Sequence, residues 1–377
     1  MFEDRKQQNI SYFSVETPNA LPQIPETPDS AGGKTVDPAV QKKETNEPAA
    51  SSLPPSHFVA LLFDDVHIAV EDLSRTRDAA IRFVDDSLGP TDRVAVFTIS
   101  GQSELDFTAN LETLHSALLG LRQRTMDDAT TPGTRECPNI DYYQADRIVN
   151  RHDQEATNVA VYEALACAFG DDPVALSEAR TLAMSAAQRV NDAGELQTKE
   201  SFRRLEEVVQ SISSRPGLRS IVLLSPGFIC PSNQYELADI IDRANRLSIF
   251  INTLDARGLY TSDLGDAGLA KVDSQCGLPC VGGWLASRAR VRTAGQSAQS
   301  QVLDALAEGT GGQDSHDNDL PGALVRLASL PEVSYLIAFT PHNLKHDGKF
   351  HSLRVALSTK QGVAIQARRG FYDPKQN

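Results

Sequence analysis

The sequence has few of the features that assign a chain quickly. No stretch of its 377 residues approaches the ~20 consecutive apolar residues of a bilayer-crossing helix, so direct membrane insertion by such a helix is not expected. Positive charge is scarce: 36 Lys and Arg face 50 Asp and Glu, for a formal net charge of -14. The basic residues are scattered, which argues against a nucleic-acid partner and against nonspecific binding to anionic membranes. The five cysteines contain no C-x2-C pair, and Cys276 and Cys280 in "CGLPC" are separated by three residues, so neither a zinc pattern nor a redox motif is present. Disulfides and buried free thiols both remain open on count alone. No G-x-S-x-G elbow, Walker loop or G-x-G-x-x-G follows an apolar run. The opening "MFEDRKQQNISYFSVE" is charged where an exported precursor shows an apolar core, so no signal peptide is read there.

What is present is patterned. Residues 1–16 end in "ISYFSV", which alternates like a half-buried strand. Residues 17–55 hold eight of the twenty prolines and almost no large apolar residue, the composition of a linker. From 56 to 330, short apolar runs alternate with helix-length amphipathic segments. "HFVALLF" (57–63), "RVAVFTI" (93–99), "SIVLLS" (220–225) and "LSIFINTL" (247–254) read as strands buried on both faces. Helical faces can be drawn through Leu73, Ile81, Val84 and Leu88, and at 111–122, 156–169, 174–213, 235–246 and 298–308. Such alternation predicts an α/β domain with a mostly parallel sheet between helices. Two stretches break the rhythm, 125–150 and 256–297, and read as loop insertions. After 331 three short strands without helices predict an antiparallel β extension over 331–377. Lone strands are not stable, so Ile10 to Val15 is expected to join those C-terminal strands in one β unit.

The stretch richest in chemistry is "FDDVHI", where a buried strand runs into Asp64, Asp65 and His67. Parallel sheets bind ligands at the carboxyl ends of their strands. Two adjacent carboxylates repel unless a cation or hydrogen-bond donors neutralise them. One reading is helix capping by the aspartates, with His67 bonded to the loop. The other is a divalent cation held by hard oxygens, with Thr157, ahead of an apolar helical run in "ATNVAVYEAL", facing the same crevice. Asp64, Asp65, His67 and Thr157 are therefore the candidate metal residues, with Mg2+ or another divalent ion as a weakly held cofactor. No catalytic residue is assigned.

These motifs in this order, "FDDVHI", "RVAVFTISG", "LDFTANLETL", "ATNVAVYEAL", "SIVLLSPGF", "LDARGLY", "GTGGQ" and "SYLIAFTPHNLKHDGKFHSLRV…ARRGFY", resemble the bacterial von Willebrand factor A-related domain proteins of the acidobacterial type over residues 57–373. The resemblance implies a Rossmann-like von Willebrand factor A fold serving as a binding module rather than an enzyme. In the wider family the cation site is Asp-x-Ser-x-Ser, a Thr and a later Asp. Counted from Asp64 the serine positions hold Val66 and Ile68; counted from Asp65 they hold His67 and Ala69; Pro226 replaces the later Asp. A degenerate site is therefore implied, in which protein donors replace much of a cation's role. Residues 1–16 resemble the end of a small β domain that precedes the linker in these proteins. Met1 then reads as an internal start, with an export signal upstream and an extracytoplasmic location.

Three functions compete. The first is a non-catalytic adhesion or scaffold module with a protein or other macromolecular ligand. The second is a metal-dependent hydrolase or phosphotransferase using Asp64, against which position 66 is Val where such enzymes carry a second carboxylate. The third is a cytosolic partner-binding regulator. Thiol state separates the first from the third. A Cys137–Cys167 bridge would pin the first insertion, Cys276 and Cys280 could bridge locally, and Cys230 would be left over, with buried free cysteines as the alternative.

Overall fold

The structure, a computed structural model, describes residues 1–16, 55, 57–124, 137–258, 278–329, 334–341, 350–357, 367 and 370–372. The linker at 17–55, apart from residue 55, lies outside the described residues, as does Cys276.

The four continuous apolar runs form the middle of a six-stranded sheet: β4 (His57–Phe63), β5 (Asp92–Thr98), β7 (Leu218–Ser225) and β8 (Ile249–Asp255). With β6 (Glu104–Thr108) and β9 (Asp314–Ser315) at its edges, the order is β6-β5-β4-β7-β8-β9. All neighbours are parallel except β6, which runs antiparallel to β5. Every residue of β4 is buried, because the strand is central and covered on both faces.

The period of two along β4 sorts its side chains between two cores. Phe58, Ala60 and Leu62 pack with Phe202 and Leu205 of α5 (Leu176–Ser213), Ile240 and Ile241 of α6 (Gln234–Arg246), and Leu303 and Leu306 of α7 (Leu278–Thr310). Val59, Leu61 and Phe63 pack with Leu73 and Phe83 of α1 (Val70–Ser87), Leu114 and Leu118 of α2 (Leu111–Leu119), and Leu324 of α8 (Leu320–Ala328). A three-layer α/β sandwich results, the Rossmann-like, von Willebrand factor A-like fold that the resemblance implied.

Among their described residues, the two stretches read as loop insertions are in good part helical. Within 125–150 the chain forms α3 (Tyr142–Val149), whose N-cap Asp141 accepts from the Gln144 amide. Within 256–297 it forms about the first three-fifths of α7, and the face expected at 298–308 is the end of the same helix. The reason is tertiary. Trp284 Nε1 donates to the Val159 carbonyl at 3.4 Å, and Arg288 and Arg290 pair with Glu163 and Glu155 of α4 (Gln154–Phe169). A third core of small residues, including Ala145, Ala156, Ala160, Ala164, Ala183 and Ala187, joins α3, α4 and α5. Cys137 and Cys167 are bridged across it, with Cα atoms 6.0 Å apart, and Cys230 is a buried free thiol whose pKa burial pushes up to about 11.

Both chain ends meet in antiparallel β structure. β3 (Ile10–Glu16) pairs with β10 (Ser334–Phe339), and a second sheet has the order β12-β11-β1-β2, from Gly370–Tyr372, Phe350–Arg354, Phe2–Glu3 and Lys6–Gln7.

Candidate functional site

Parallel register brings the carboxyl ends of four strands into one row. Phe63 is level with Thr98 and Leu224, and Ser225 with Asp255. One residue further, each chain turns over the top of the sheet, and each turn carries a polar side chain: Asp64 and Asp65 after β4, Ser100 after β5, Ser225 closing β7, Asp255 closing β8.

Asp64 is fully buried. Its Oδ1 accepts from the amides of Val66 (3.3 Å) and His67 (2.9 Å) and from His67 Nδ1 (2.9 Å); its Oδ2 accepts from His67 Nδ1 (3.0 Å) and the Ser225 hydroxyl (2.5 Å). A carboxylate has about four lone-pair sites, and here four donors occupy them. Burial alone would raise the Asp64 pKa, but the charge of His67 and the bonds from His67 and Ser225 outweigh it and hold the carboxyl below its usual value. His67 is in turn fixed by stacking on Phe228, centroids 5.4 Å apart.

Asp65, 1% exposed, turns the other way. Its Oδ1 accepts from the Ser100 amide (2.9 Å) and its Oδ2 from the Ser100 hydroxyl (2.5 Å). Burial pushes its pKa up against those two bonds, and the Asp64 charge adds to the rise. The pair thus avoids mutual repulsion by dividing its roles: Asp64 is matched to a histidine and kept ionised, whereas Asp65 holds its proton more tightly. Neither caps the helix that follows, since the N-cap of α1 is Ala69, with no side-chain bond.

Thr157 is placed differently from the other three candidates. The N-cap of α4 is Asp153, which accepts from the Ala156 amide, and Thr157 lies one turn in, with its hydroxyl donated to the Asp153 carbonyl at 2.6 Å. Among the described residues no hydrogen bond joins it to Asp64 or Asp65. A hard divalent cation does not fit Asp64 with this donor set. It would have to displace His67 and Ser225, and the Thr157 hydroxyl and both Asp65 oxygens are engaged with other partners.

Sequence reasoning passed over three members of the row. Ser100 and Ser225 are the hydroxyl partners of the two aspartates. Asp255 is held by Arg257 through its amide (3.0 Å), Nε (2.9 Å) and terminal nitrogen (2.7 Å). Arg257 also reaches Gln299 and Ser300 of α7, and its carbonyl accepts from Arg75 of α1. The signal for Ser225 was its place in "LSPG". Gly227 takes φ +82° and accepts no side chain, because a Cβ there would lie 2.3 Å from the Gln299 carbonyl oxygen. Its amide donates to Ser225 Oγ. Gly227→Ala is expected to lower the unfolding free energy by about 2 kcal/mol through strain and steric clash; a urea midpoint equal to wild type would show that the turn relaxes freely.

No protein-family model and no curated protein matches the chain. Among solved structures it is similar to an aerotolerance-related membrane protein from Bacteroides fragilis NCTC 9343 carrying multiple mutations to serine, at 11% identity and a TM-score of 0.33, covering 72% of this chain and 96% of that one. It is also similar to the conserved hypothetical protein BatB from Bacteroides thetaiotaomicron, at 12% identity and a TM-score of 0.34, with the same coverage. The class of the chain, a von Willebrand factor A-like α/β domain with an antiparallel β extension, rests on its own strand order. Among the described residues no helix is long and apolar enough to cross a membrane.

Proposed function

We propose that this chain is a non-catalytic, extracytoplasmic binding or scaffold module of the von Willebrand factor A-related acidobacterial type, docking a protein or other macromolecular ligand over its carboxyl-end loops without a bridging cation. The observation that carries this reading is the saturation of Asp64 by four protein donors. A metal-dependent adhesion site needs carboxylate lone pairs for the ion, and here protein donors, His67 among them, occupy those lone pairs. The same geometry disfavours hydrolysis. Ser225 is buried and donates its hydroxyl hydrogen bond to Asp64, and among the described residues no histidine is hydrogen-bonded to it as a base. The Cys137–Cys167 bridge supports an oxidising, extracytoplasmic compartment over the cytosol.

Calorimetry with Mg2+ and Ca2+ tests the reading. Dissociation constants no tighter than about 10⁻⁴–10⁻³ M are expected, together with no turnover of p-nitrophenyl phosphate or acetate in Mg2+. Micromolar binding that vanishes in Asp64→Asn, or turnover that vanishes with it, overturns the cation-independent module.

A further inference from the structure

A second meeting of carboxylates with a histidine lies in the sheet formed by the two chain ends. Glu3 is registered opposite Leu353 of β11, and His351 is two residues along from Leu353, so the strand period of two puts Glu3 and His351 on one face. Asp4 follows in the two-residue turn between β1 and β2, and its Oδ1 is fixed by the Ser352 amide (2.9 Å) and hydroxyl (3.1 Å). His351 stacks on its cross-strand partner Phe371, with centroids 5.2 Å apart.

Three atoms then converge. His351 Nδ1 is 3.2 Å from Glu3 Oε1 and 3.0 Å from Asp4 Oδ2, and the ligating atoms of the three residues all lie within 4.8 Å of one another. Yet Nδ1 is a buried atom without a hydrogen bond, because neither oxygen lies along its N–H direction. The Glu3 side chain, 7% exposed, faces that nitrogen as an ion-pair partner. A buried ring nitrogen beside two carboxylates but without a directed hydrogen bond is costly, and an ion shared by the three groups removes the cost. Two ligand atoms each about 2.1 Å from one ion are about 3.0 Å apart at the right angles of an octahedral shell and about 3.4 Å apart at tetrahedral angles, and they do not point at each other. The 3.0 and 3.2 Å found here fall in that range, with the same misdirection.

We propose that Glu3, Asp4 and His351 bind one divalent first-row transition ion, Zn2+ or Mn2+, which staples the β1–β2 turn to β11. One imidazole beside two carboxylates suits these ions better than Mg2+ or Ca2+. Half-exposed Asp4 leaves room for water to complete the shell.

Zinc titration of the metal-stripped full chain, followed by calorimetry, tests the site. One ion per chain is expected, with a dissociation constant on the order of 10⁻⁶ M, weakened about tenfold or more in His351→Gln and in Glu3→Gln. His316→Gln, which opens the other histidine–carboxylate group formed with Asp304 and Asp314, keeps the binding, as does Asp64→Asn. Absence of saturable Zn2+ binding, or binding lost in His316→Gln and kept in His351→Gln, overturns the proposal and leaves a protonated ion pair only. Should the His351 variant not fold, Co2+ added to the wild type reads the site directly: paramagnetic shifts on the His351 ring protons support it, and shifts confined to His316 sink it.

Discussion

Replacing Asp64 by asparagine is expected to lower the unfolding free energy by about 3 kcal/mol, whereas the same change at its neighbour Asp65 costs less than about 1 kcal/mol. An amide at 64 has one oxygen where the carboxylate has two, and its NH2 group would face His67 Nδ1 or the Ser225 hydroxyl, both of which donate in the wild type. An amide at 65 meets no such conflict: its oxygen accepts the Ser100 amide and its NH2 donates to the Ser100 hydroxyl oxygen. Acidity should separate the two further. Asp64 has its folded pKa below the unfolded value near ~3.9, so its stabilisation is present above that value and is lost as pH falls through the folded pKa. Asp65 has its folded pKa raised, so its contribution is present below the unfolded value and is lost as pH rises through the folded one. The deficit of Asp64→Asn relative to wild type therefore shrinks on acidification below about pH 4. Urea unfolding of both variants across that range decides the matter; equal deficits would mean that the two carboxylates share one environment.

The second large effect is at the disulfide. Reduction, or Cys137→Ala with Cys167→Ala, is expected to cost about 3–4 kcal/mol, because the bridge closes a segment 30 residues long and so restricts the unfolded chain. The bridged segment includes α3 and enters α4, which meet α5 through small side chains with little apolar area each, so this region depends on the cross-link more than the sheet does. Unfolding with and without dithiothreitol measures the difference, and peptide mapping under non-reducing conditions checks the pairing. Recovery of an alkylated Cys137 from unreduced, exported protein would remove both this effect and the argument for an oxidising compartment.

The central strands were legible because β4, β5, β7 and β8 are largely buried on both faces, and mostly apolar runs with a few hydrogen-bonded polar residues occupy such positions. "HFVALLF" matches β4 residue for residue. The start of α7 was not legible, since "WLASRARVRTAGQSAQS" mixes Gly, Ser and Arg with little apolar periodicity. It is held by partners remote in sequence, with Arg288 set against Glu163 and Trp284 against Val159. At the row of strand ends, the carboxylates could be read from "FDDVHI" and the need for a nearby positive charge from electrostatics alone. What could not be read was direction. That Asp64 turns to His67 and Ser225 while Asp65 turns to Ser100 depends on β4 lying between β5 and β7, which is a property of the whole sheet.

The pairing of β3 with β10 has a consequence for synthesis. The Ser11 hydroxyl bonds to the Ala338 carbonyl, a residue 327 positions later in the chain. A ribosome therefore releases Tyr12, Phe13 and Val15 long before their partner strand exists, and throughout that interval an alternating apolar segment is without a mate. Contacts of such separation form late. The α/β domain can therefore close while β3 still waits for β10, and an unpaired edge of that kind is where chaperones engage and where two chains can exchange strands.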